Sequence, residues 1–169
     1  MKSVPEFLAH AVVLEEEAAE RYEQLAEATA AHDNEPATEL FRTMAHFARK
    51  HMEQTLARAR DAGALPELKP WEYEWPGGES PEAWVLAEEV DYSMTPADAL
   101  RLALSAEQLA HAFYAEVART AGNAEVKALA QVFADEEAGH VEEIERWLDR
   151  HPDADADWGE GPYFGERGA

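Results

Sequence analysis

Residues 107–114 read Glu-Gln-Leu-Ala-His-Ala-Phe-Tyr, and residues 15–22 read Glu-Glu-Glu-Ala-Ala-Glu-Arg-Tyr. Each stretch opens on Glu and closes on Tyr seven positions later, and the two are offset by 92 residues (107 − 15 and 114 − 22). Two further pairs, His51 with His140 and Met44 with Phe133, are offset by 89 (140 − 51 and 133 − 44). Both stretches sit in helical patterns. Ala11, Glu15, Ala18, Tyr22 and Leu25 advance by four, three, four and three, so they share one helix face. Leu100, Ala103, Glu107, Ala110, Tyr114 and Val117 form the matching stripe. The chain reads as two copies of one helical hairpin, each sending acidic and basic side chains to a shared interior.

The helix limits follow from caps and breakers. Ser3, with Pro5 and Glu6 behind it, predicts a capped start, and no breaker intervenes before about Ala31. His32-Asp33-Asn34-Glu35-Pro36 is a turn, and a second helix is expected from roughly Ala37 to Ala62, where Gly63 stops it. Its stripe is Phe41, Met44, Ala48, His51, Thr55 and Ala59. Residues 64–80 hold Pro66, Pro70, Pro76, Gly77 and Gly78 among Trp71, Tyr73 and Trp75, which makes a long connection, and Ser80-Pro81-Glu82 caps a short helix to about Val90. Thr95-Pro96, with Asp98, starts a third long helix that ends near Gly122-Asn123. A fourth runs from Ala124 to about Arg150, ended by His151-Pro152. Residues 1–152 thus form one bundle with a crossover over 63–95. Residues 153–169 form an acidic tail, loosely ordered or docked on a neighbour. A short link makes two helices antiparallel neighbours, while a long one carries the chain the length of the bundle. The expected fold is all-α: a ferritin-like antiparallel four-helix bundle with a long crossover between helices 2 and 3.

Composition narrows the chemistry. The 169 residues suit one domain with a sizeable core, and 46% are hydrophobic. Cysteine is absent, which excludes disulfides, thiolate zinc, iron–sulfur clusters and a rubredoxin-type centre. The formal net charge is −22, from 36 acidic against 14 basic residues. Such a surface repels nucleic acid and anionic lipid and attracts cations. No stretch approaches the roughly 20 apolar residues of a membrane span, and the N-terminus lacks a signal peptide's layout, so a cytoplasmic location is expected.

Glu137-Ala138-Gly139-His140 carries the sharpest chemical signal, since Glu and His three apart on a helix can hold one metal ion. Leu129, Phe133, Ile144 and Trp147 share its stripe, so the pair faces inward. Alone the motif is common on acidic helices. Here Glu15, Glu107 and His51 stand on the apolar stripes of the other three helices. Three carboxylates facing one another indoors require protons or cations between them, and metal ions supply the latter.

With Phe41-x-x-Met44-Ala45 leading to His51, and Phe133-Ala134-x-x-Glu137-x-x-His140, the four long helices (roughly residues 5–62 and 96–150) resemble the rubrerythrin branch of the ferritin-like superfamily. The resemblance implies a Glu from each of helices 1 and 3 and a Glu-x-x-His from each of helices 2 and 4 around two iron ions. Carried over, it assigns Glu15, His51, Glu107, Glu137 and His140 as metal ligands. One expected ligand is missing: position 48 is Ala48. The added glutamate of true rubrerythrins falls at Ala110, and no rubredoxin domain is present. Three carboxylates against two divalent ions leave a charge of +1, where four would leave zero, so the second ion is expected to bind more weakly. Iron, as one or two ions, is the expected cofactor, with zinc or manganese as substitutes.

Two functions remain open. One is an oxidoreductase acting on peroxide, dioxygen or ferrous iron. The other is a metal-binding or structural bundle with a degenerate di-metal site and no turnover; a metal-free interaction protein would need protons to quiet its three inward carboxylates. Tyr22 and Tyr114 read as packing residues beside the ligands, and His10, His32, His111 and His151 as structural or surface residues. His46 is at most a peripheral ligand. Trp71, Trp75, Trp84, Trp158, Tyr163 and Phe164 form an apolar load outside the core pattern, which predicts a homodimer.

Overall fold

Four polar side chains start the four helices. The Ser3 hydroxyl accepts from the Glu6 amide at 3.3 Å, and the Asn34 side-chain oxygen from the Ala37 amide at 3.4 Å. Thr95 accepts from the Asp98 amide at 3.2 Å while Asp98 accepts from the Thr95 amide at 3.1 Å, a reciprocal capping box. Asn123 accepts from the amides of Glu125 and Val126. These caps satisfy amides that have no partner inside the helix. The helices they open are α1 (Val4–Ala31), α2 (Glu35–Ala62), α3 (Pro96–Thr120) and α4 (Ala124–Arg150). The computed structural model describes residues 1–63, 65–66, 68–69, 72–75, 80 and 93–150. The short helix expected to reach Val90, the residues Trp71, Trp84 and His151, and the tail with Trp158, Tyr163 and Phe164 lie outside the described residues.

Helix α2 begins two residues earlier than its sequence suggests. Pro36 sits in the first turn, where the missing amide would have had no partner, so it admits the helix instead of delaying it. The preceding turn is closed by Asp33 at φ 56°, a left-handed conformation that Asp tolerates. Helix α2 ends at Gly63, whose φ of 115° favours glycine.

Helices α1 and α2 pack along their length as one hairpin, and α3 and α4 as the other. The buried hydroxyls of Thr29 and Thr38, 2.9 Å apart, close the first hairpin near its turn. The Asn34 amide donates to the Met94 carbonyl at 2.8 Å, so α2 and α3 start at the same end of the bundle. Two helices that start together run the same way, and the intervening segment must therefore travel back the length of the bundle. This is the ferritin-like arrangement expected from the long link.

The core divides into two apolar layers. Tyr22, Leu25, Phe41, Met44, Leu100, Ala103 and Ile144 fill one end. Phe7, Leu14, Phe113, Tyr114, Val126 and Phe133 fill the other, with rings in edge contact: Phe7 with Phe133 at 5.3 Å and with Tyr114 at 5.9 Å. The acidic and histidine stripes pass between these layers.

Candidate metal centre

Helical spacing fixes which residues meet between the layers. Glu107 sits one turn beyond Ala103, and Glu137 one turn beyond Phe133, with His140 a further turn along and Ile144 after it. Both α3 and α4 therefore present a polar step inside an apolar stripe. The Nδ1 atom of His140 lies 3.1 Å from the Glu107 carboxylate and 3.0 Å from that of Glu137. One ligand atom from each of Glu107, Glu137 and His140 lies within 4.8 Å of the other two. Among the described residues no other His, Asp or Glu cluster draws together in this way.

The first hairpin adds a looser pair. His51 Nδ1 stands 4.0 Å from the Glu15 carboxylate, too far for a hydrogen bond. The His51 ring stacks on His140 with centroids 4.7 Å apart and planes inclined by 5°. All five residues line one cavity, together with Leu14, Tyr22, Met44, Phe47 and four alanines, Ala18, Ala48, Ala106 and Ala110. The structure thus gathers all five sequence-derived candidates, three as a tight cluster and two as an adjoining pair. His46 is exposed and turned away, as its spacing demanded.

Burial sets the proton inventory. It pushes Glu137, with Glu107 beside it, up to about 8 against the pull of His140. Burial also opposes charge on His140, but the bonds to Glu107 and Glu137 outweigh it and hold the imidazole up at about 11. Glu107 suffers the same burial, yet the His140 hydrogen bond and charge hold it below the usual carboxylate range. Burial, then the charge on His140, pushes His51 down to about 4. The metal-free cluster at neutral pH is therefore an ionised Glu107, a protonated Glu137 and a charged His140, beside a neutral His51.

These donors suit a metal ion. Carboxylate oxygens and imidazole nitrogens bind divalent transition metals at about 2.0–2.2 Å, so donors sharing one ion stand about 3–4 Å apart, as His140 does from both glutamates. A cation would replace the protons that now hold the cluster together.

Sequence reading undervalued His10. It is fully buried, its Nδ1–H donates to the Glu6 carbonyl at 2.8 Å, and its Nε2 accepts from the Glu74 amide at 3.1 Å. Tyr73 and Trp75 close over the ring at 4.9 and 5.1 Å. Ser80 donates to Glu17 further along α1. Residues 73–75 and Ser80 are thereby strapped to α1, and the half-buried Trp75 packs against Phe113 at 5.3 Å, on the edge of the core. The signal was present: His10 stands three after Phe7 and four before Leu14, on their buried stripe. Tyr114 packs among Phe7, Phe113 and Phe133, and Tyr22 stacks on Phe41 at 6.3 Å, as packing residues do.

A family model described as Rubrerythrin matches residues 6–148. The crystal structure of an uncharacterized conserved protein from Magnetospirillum magnetotacticum MS-1 is similar at a TM-score of 0.65 and 39% identity, over 92% of this chain and 99% of that one. No curated protein matches the chain significantly. Among the described residues no helix is long and apolar enough to cross a membrane.

Proposed function

This chain belongs to the rubrerythrin family, and on that footing we propose that it binds iron and acts as an oxidoreductase on peroxide, dioxygen or ferrous iron. Glu107, Glu137 and His140 hold the tighter ion, and Glu15 with His51 a weaker second one. Zinc or manganese would occupy the same donors. The observation that supports this reading most is the convergence within 4.8 Å of three ligand atoms, from the buried Glu137 and the half-buried Glu107 and His140. Bound iron supplies open coordination positions and one-electron chemistry. The chain's own residues do the rest. Glu107 and Glu137 balance the ion's charge, and His140 gives up its proton to become a neutral donor. Apolar layers flank the cluster on either side, while a net charge of −22 draws cations toward it.

A cytoplasmic setting and a homodimer belong to the same proposal. Light scattering tests the dimer: a monomer at working concentration ends it.

Ala48 favours a second reading, a bundle that holds metal without turnover. Anaerobic titration with ferrous iron, metal analysis and then exposure to oxygen or peroxide separate the two. Bound iron that oxidises faster than free iron supports the enzyme, bound iron that does not supports the metal-holding bundle, and no bound iron defeats both.

A further inference from the structure

The internal repeat gives the site a counterpart for every ligand. Glu15 answers Glu107, and His51 answers His140. The counterpart of Glu137 at the offset of 89 is position 48, and that residue is Ala48. The structure places Ala48 on the wall of the shared cavity, which His51, Glu107 and Glu137 also line. The second hairpin fills its half of the cavity with a carboxylate where the first presents a methyl group. Ala110 on α3 adds another small wall residue.

The missing atoms define a ligand. Relative to Glu, Ala lacks one methylene and one carboxylate, which together are the heavy atoms of acetate. The missing charge agrees: three carboxylates, Glu15, Glu107 and Glu137, leave two divalent ions with a surplus of +1, and one monoanion cancels it. The cavity wall combines two histidines with the apolar Leu14, Ala18 and Met44, a lining that suits a carboxylate head on a short alkyl stub. The cavity wall reaches solvent, since the side chains of His51, Glu107 and His140 keep 21%, 16% and 14% of their surface exposed.

We propose that the hollow beside Ala48 binds a small monocarboxylate from solution, of acetate or formate size, which replaces the absent side-chain carboxylate and secures the second metal ion. The proposal rests on the reading that these five residues hold metal. The ligand enters with the second ion, not with the first, because only the second ion carries uncompensated charge. Propionate and larger acids carry more atoms than the side chain that Ala48 lacks and bind more weakly.

The test is titration of the metal-free full-length chain with cobalt(II), followed by its visible absorption, in a non-coordinating buffer. Acetate, formate, propionate, bicarbonate and chloride are compared at equal ionic strength. Millimolar acetate or formate should tighten the second cobalt ion by at least about tenfold and leave the first unchanged, with propionate and chloride ineffective. Bicarbonate matching acetate would identify it as another source of the same carboxylate head. Ala48→Leu, which fills the hollow, should lose the acetate response, and Ala48→Glu should bind the second ion tightly without acetate. Circular dichroism checks that each variant folds, and should Ala48→Leu not fold, Ala48→Glu decides alone. A second ion indifferent to acetate, a chloride effect equal to acetate's, or an acetate response surviving in either variant overturns the proposal. A first ion that fails to bind overturns the metal reading itself, and is seen separately.

Discussion

The imidazoles of His51 and His140 stack 4.7 Å apart with their planes inclined by 5°. The pair joins the two hairpins at the level of the acidic cluster, and it divides the protons unequally. His140 carries a charge because Glu107 and Glu137 share its Nδ1–H. His51 cannot carry one as well, since burial and the neighbouring charge push it down to about 4. If the site takes a metal as proposed, one half would be ready to donate to it, whereas the other would first have to shed protons.

Metal binding should therefore release protons. At neutral pH Glu137, raised to about 8, and His140, raised to about 11, both hold one in the metal-free chain. Entry of the first ion should expel about two, and affinity should climb with pH. Calorimetry in two buffers of different ionisation enthalpy counts them, and a count of zero would refute this protonation pattern.

The same groups set the pH dependence of the metal-free fold. Both folded values lie above the unfolded ones of 4.5 and 6.5, so the folded chain holds protons that the unfolded chain has released. The Glu137 contribution declines as pH rises from about 4.5 to about 8, and the His140 contribution from about 6.5 to about 11. His51 acts oppositely, but only between about 4 and 6.5. Thermal midpoints without metal should fall between pH 6.5 and pH 9. Bound metal, or Glu137→Gln, should flatten that slope.

Glu137→Ala should abolish the tight site. Its loss should exceed the roughly 10–100-fold cost of removing an outer partner of a ligand, because it removes a donor atom itself. Glu137→Gln should also lose metal, while its metal-free form at pH 8 is at least as stable as the parent, since a buried acid has gone. Equilibrium dialysis with metal analysis, paired with denaturant melts, checks both halves.

Ala48→Glu should reverse its sign with metal. Without ions it adds a fourth carboxylate to the cavity, and stability should drop by about 1–3 kcal/mol. With ferrous iron it should bind close to two ions per chain and oxidise them faster than the parent under oxygen or peroxide. If the parent already binds two ions equally in carboxylate-free buffer, the weakened second position is refuted.

His10→Ala should loosen the crossover without emptying the site. The Glu74 amide loses its acceptor and the Glu6 carbonyl a donor, a cost of about 1–3 kcal/mol. Hydrogen exchange should speed at residues 73–75, and metal stoichiometry should stay unchanged. Unaltered exchange there would show that Tyr73 and Trp75 hold the strap by packing alone.

The sequence by itself determined the four helices, the long crossover and the inward faces of Glu15, His51, Glu107, Glu137 and His140. Caps, breakers and a 3.6-residue period are local, and a side chain's bearing around its helix follows from the count along the chain. The inward methyl at Ala48 was legible for the same reason. Tertiary structure alone decided the rest. It split the five into a cluster and a looser pair, stacked His51 on His140, and tied His10 to an amide 64 positions away. It also decided which acid keeps its proton. Those outcomes depend on distances between helices and on the depth of burial, which are fixed when whole apolar faces interlock and are encoded at no single position.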